Sequence, residues 1–68
     1  MTTEHYHSAR TEAETGIERA DRAIRAAQEK HSPLAPYLTR YVAQRAAYAL
    51  TAARMNAIIE RLEQGYGT

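Results

Sequence analysis

Sixty-eight residues make one small domain, and a chain that short buries only roughly 60% of its unfolded surface, so its core needs a supplement. Without cysteine, the supplement is neither a disulfide nor a thiolate metal site, and cysteine nucleophile chemistry is excluded. The net charge of +1 does not by itself call for a polyanionic partner. The abundance of alanine and arginine and the absence of Trp and Phe favour helix throughout.

The segment "MTTEHYHS", residues 1–8, reads as a flexible polar tail. It is too acidic and polar for a secretory signal, so a cytoplasmic location is the expectation. The Ala/Arg-rich style suits a small bacterial or phage protein. Glu4 and His7 form a Glu-x-x-His spacing beside His5, which in di-iron bundles places ligands on one helix face. Here it occurs once and is not joined by glutamates at core positions, so no metal and no cofactor is assigned.

Helix 1 is expected over about residues 9–30. Ala13, Ile17, Ala20, Ile24 and Ala27 recur at helical spacing. Thr11 and Glu14 have the spacing of a capping box. Gly16 weakens the helix by up to about 1 kcal/mol relative to alanine, and is either tolerated or permits close approach of a neighbour. His31 follows the helix, where a cation suits the C-terminal end.

A turn is expected over residues 31–35, with Ser32-Pro33 and Ala35-Pro36 as starts for a second helix, because proline suits a first helical turn and not an interior. Helix 2 then runs over about 36–64. Its stripe is Leu34, Leu38, Tyr41, Arg45, Tyr48, Ala52, Met55, Ile59, Leu62 and Tyr66. Gly65 sits where a terminating glycine belongs, and residues 65–68 form a C-terminal tail. The longest uncharged stretch of this half, Ala46 to Ala53, is far short of the roughly 20 residues needed to span a bilayer.

Two helices joined by so short a turn pack antiparallel. The fold class is therefore all-α, an antiparallel helical hairpin. Lys30 to Ile59 carries cations and no acid, whereas residues 1–29 are acid-rich. Antiparallel packing lays Arg45 near Asp21 and Glu18, and Arg54 near Glu12 and Glu14. Helix 2 also has a second apolar stripe (Val42, Ala46, Ala49, Ala53) and a third (Ala43, Ala47, Leu50, Ala57). A helix that is apolar nearly all round needs more than one partner. Ile58, Ile59, Leu62 and Tyr66 overhang helix 1 unless residues 1–8 fold over them. Dimerisation into a four-helix bundle answers both demands. The expected interface is Tyr41, Val42, Ala46, Tyr48, Ala49, Ala53, Met55, Ile58, Ile59, Leu62 and Tyr66.

The expected function is a non-catalytic interaction or regulatory module acting through protein–protein contacts and self-association. No serine, histidine and acid share a face, and the three glycines are scattered, so no catalytic residue is assigned. The alternative is nucleic-acid binding through Arg40, Arg45, Arg54, Arg61 and Tyr37, since cations and stacking rings hold RNA or DNA strands. In architecture alone the chain is similar to Rop-type RNA binders, helical hairpins that dimerise into four-helix bundles. No membrane role is expected, because helix 1 is acidic and helix 2 lacks a basic polar face opposite an apolar one.

Overall fold

A computed structural model describes residues 3–65. It is an antiparallel hairpin of α1 (Glu4–Gln28) and α2 (Leu38–Gly65), with a 3-10 turn at Ala35–Tyr37 leading into α2. Among the described residues there is no strand, and no helix is long and apolar enough to cross a membrane. The molecule measures 57 × 14 × 12 Å with a radius of gyration of 15.9 Å. A compact chain of this length would have a radius near 11 Å, so the hairpin is a rod.

Helix α1 starts at Glu4, inside the segment read as a tail, and this corrects the expected start near residue 9. The capping-box reading fails with it. The Thr11 hydroxyl donates to the His7 carbonyl at 3.0 Å, and Thr15 donates to Thr11 in the same way, so both lie inside the helix. The first orphan amides are met by the backbone instead, Tyr6 and His7 N–H donating to the Thr3 carbonyl at 3.0 Å. The cause is tertiary. The extra turn and a half of α1 lies along the C-terminal half of α2 and covers it, leaving Ile59 only 3% exposed. Of the two ways to cover the overhang, the chain's own N-terminal residues supply one; Tyr66, and Met1 and Thr2 of the expected tail, lie outside the described residues.

At the turn, α1 ends at Gln28, and Glu29 adopts an extended conformation. His31 takes a left-handed φ of 61°, a conformation that histidine tolerates better than most non-glycine residues. His31 thus reverses the chain three residues beyond the end of α1. The Leu34 amide donates to Ser32 Oγ at 3.1 Å, and Pro36 sits in the first turn of the 3-10 segment. The α-helix proper therefore begins at Leu38, two residues later than expected. At the other end Gly65, expected just beyond α2, is its last described residue.

The buried residues between the helices are Ala13, Gly16, Ala20 and Ala27 of α1, and Ala52 and Ile59 of α2. Ile17 and Ile24 are only half-buried. Small side chains let the two backbones approach closely, but they remove little apolar area from water, and area removed is what stabilises.

Candidate interaction surfaces

Seen down its axis, α2 presents the seam with α1, two flanks and an outer face, and the expected site residues distribute among them. One flank is polar. Arg45 Nε pairs with Asp21 at 2.5 Å, as the sequence pairing requires. Towards the open end Arg10 Nη1 donates to Asn56 Oδ1 at 2.9 Å, and His7 Nε2 lies 3.5 Å from Glu63. Arg10 Nη2 is 3.1 Å from His7 Nδ1. A guanidinium can only donate, so Nδ1 accepts and the ring proton sits on Nε2, facing Glu63. Arg10 Nε is buried without a hydrogen bond, and its nearest carboxylate is Glu14 at 3.9 Å. These pairs are substantially exposed, and such contacts typically contribute below about 1 kcal/mol each; what they add is register. Arg54 does not join this network. Among the described residues it has no ion pair with Glu12 or Glu14.

The opposite flank is built on Gly16. A β-carbon placed there would lie 2.6, 2.7 and 2.7 Å from Cδ1, Cδ2 and Cε1 of Tyr48. Near-equal distances to three ring atoms mean that the ring lies flat against the glycine. Close approach is thus what Gly16 permits, a contact its lone position in the sequence did not identify. Tyr48 remains 43% exposed, so the ring's other side faces solvent. Open pockets of 380 and 260 Å³ adjoin it, one lined by Thr11, Glu12, Thr15 and Arg19, the other by Arg19, Ala23, Tyr41 and Gln44. Arg19 lines both, and the sequence reading did not single it out.

The outer face of α2 points away from α1. Val42 is 50% and Leu50 52% exposed, and Ala43, Ala46, Ala47, Ala53 and Ala57 are exposed around them. Of the other expected interface residues, Tyr41, Ala49, Met55, Ile58 and Leu62 are half-buried, and Ile59 is taken up within the hairpin. Arg40, Arg54, Arg61 and Tyr37 are exposed, whereas Arg45 is held by Asp21. The three do not converge with Arg45 on one face.

The total accessible surface is 5456 Å². A compact monomer of 7.6 kDa exposes about 4,300 Å², so the rod carries a surplus of about 1,100 Å². Among the described residues no three histidine or acidic side chains are grouped to hold a metal. No known protein family, curated protein or solved structure matches this chain.

Proposed function

We propose that this chain is a non-catalytic interaction or regulatory module that works by self-association through α2. The surplus exposed area carries the reading: each partner of a standard interface buries roughly 800 Å², less than the rod exposes in excess. The core of small residues supports it, since a marginal hydrophobic core is commonly supplemented by oligomerisation.

The outer stripe also has the symmetry that a two-fold contact requires. In an antiparallel α2–α2 pair centred between Ala49 and Leu50, Val42 faces Ala57 of the second copy, Ala46 faces Ala53, and Ala49 faces Leu50. An isologous contact demands this self-complementarity. The alanines let the helices approach closely while Val42 and Leu50 supply most of the buried area, and with both α1 helices outside the seam the assembly is a four-helix bundle.

Sedimentation equilibrium at micromolar concentration tests the reading. The expected mass is twice 7.6 kDa, reduced to the monomer by Leu50→Lys, which would bury unpaired charges at the two-fold. Gln44→Glu, on the groove flank, leaves the dimer intact. A folded monomer of the unaltered chain overturns the proposal.

A further inference from the structure

On the Tyr48 flank two opposite charges stand on either side of an open ring. Glu12 and Arg19 line the same pocket, beside Gly16 and Tyr48. Both are exposed, and among the described residues neither has an ion pair. They are seven residues apart, about 10 Å along α1 at 1.5 Å per residue. Their midpoint falls between Thr15 and Gly16, and Gly16 is where the Tyr48 ring rests. The charges and the ring are therefore centred on one level of the hairpin.

Helix α2 is balanced about the same level. Tyr41 and Met55 lie seven residues before and after Tyr48, and both are half-buried. A step of seven residues rotates a helix by only about 20°, so the three side chains share one line. Tyr41 joins Tyr48 in the groove. The small rotation from Tyr48 to Met55 leads away from Arg45, which marks the opposite flank.

We propose that this flank is a second self-association surface, occupied by the same flank of another copy laid antiparallel about a two-fold at Gly16 and Tyr48. That axis sets Glu12 against Arg19 of the second copy, and Arg19 against its Glu12. It brings the open sides of the two Tyr48 rings together and places Tyr41 against Met55 of the second copy, a sulfur–aromatic contact. An isologous contact requires a patch that complements itself, and an acid and a cation equidistant from a central ring form one. Any other occupant must supply the same two charges in reverse order at the same spacing; a second copy already has them. The contact uses neither Val42 nor Leu50, so it is separate from the pairing of outer faces and does not depend on it. Rim charges set orientation more than affinity, so this contact forms at higher concentration and joins outer-face dimers into tetramers.

Sedimentation equilibrium of the full chain carrying Leu50→Lys, which blocks the outer face, tests this from about 10 µM to about 1 mM at about 0.15 M salt. The mass is expected to rise from 7.6 kDa towards twice that value. Adding Glu12→Arg sets cation against cation on both sides of the axis, and adding Arg19→Glu sets acid against acid, so each weakens association by about ten-fold or more. Mixed in equal amounts, these two variants associate at least as well as the Leu50→Lys chain, because every cation then meets an acid. Arg25→Glu makes the same charge change as Arg19→Glu but outside the groove, and leaves association unaltered. All these side chains are exposed, so the variants keep the helix content of the parent. If outer-face pairing is absent, the unaltered chain repeats the Leu50→Lys curve and the effects of Glu12→Arg and Arg19→Glu are the same. A mass of 7.6 kDa at every concentration assigns the groove to another occupant and overturns the proposal. So does association that Glu12→Arg and Arg19→Glu leave intact, or a mixture of the two that associates no better than either alone.

Discussion

Replacing Gly16 with alanine should reverse its effect on stability according to what occupies position 48. In an isolated helix the change is favourable by up to about 1 kcal/mol, because glycine loses more backbone freedom on folding. In this hairpin the new β-carbon would lie 2.6 Å from the nearest atom of the Tyr48 ring. Ordinary carbon contacts are about 3.5 Å, so the ring must retreat by about 0.9 Å or the helices must part. Overpacking of this kind typically costs about 1–3 kcal/mol, giving a net destabilisation of roughly 1–2 kcal/mol for Gly16→Ala. In a Tyr48→Ala background the obstruction is gone, and the same change should stabilise by about 0.5–1 kcal/mol. Urea unfolding of all four variants at one protein concentration gives the coupling, expected at about 1–3 kcal/mol. If Gly16→Ala stabilises both backgrounds equally, the ring is not packed on the glycine and the account of this flank is wrong.

Deleting residues 1–7 should cost roughly 1.5–3 kcal/mol, the value of one buried aliphatic side chain, because it uncovers Ile59, now 3% exposed. The loss should be the same at every protein concentration in urea melts, and an unchanged midpoint would contradict the extended α1. At the turn, His31→Gly should melt higher than His31→Val by about 1–2 kcal/mol, since only glycine takes the φ of 61° without strain. Equal melting temperatures for these two would remove the left-handed turn from the account.

Much of the hairpin is legible from side chains that act over one or two turns. Ala13, Ala20 and Ala27 mark the seam by spacing alone, the prolines mark the turn, and antiparallel register places Arg45 on Asp21. The errors arise where a local signal competes with a distant one. Thr11 and Glu14 offer a helix start as good as any in the segment, and only the apolar end of α2, on the far side of the turn, decides in favour of Glu4. The overhang of Ile58, Ile59 and Leu62 was the available clue. Gly16 stands out in the sequence, but its partner does not, because the stripe containing Tyr41, Arg45 and Tyr48 straddles the seam. Arg45 leans to one flank and Tyr48 to the other, and rotation by a fraction of a turn separates an ion pair from a stacking face. Register alone lays Arg54 near Glu12 and Glu14, but register does not say on which side of the helix a residue emerges.

The most direct measurement of self-association through the outer face of α2 is disulfide trapping in a chain without native cysteine. Across the antiparallel two-fold, the two copies of residue 50 come within the 4.4–6.8 Å Cα separation that a disulfide requires, whereas the two copies of residue 42 are about 22 Å apart along the helices. Under mild oxidation Leu50→Cys should therefore convert rapidly to a covalent dimer that keeps the helix content of the parent. Val42→Cys should do so only when mixed with Ala57→Cys. Equal cross-linking of Leu50→Cys and Val42→Cys, or none from either at concentrations where the chain sediments as a dimer, would contradict the account.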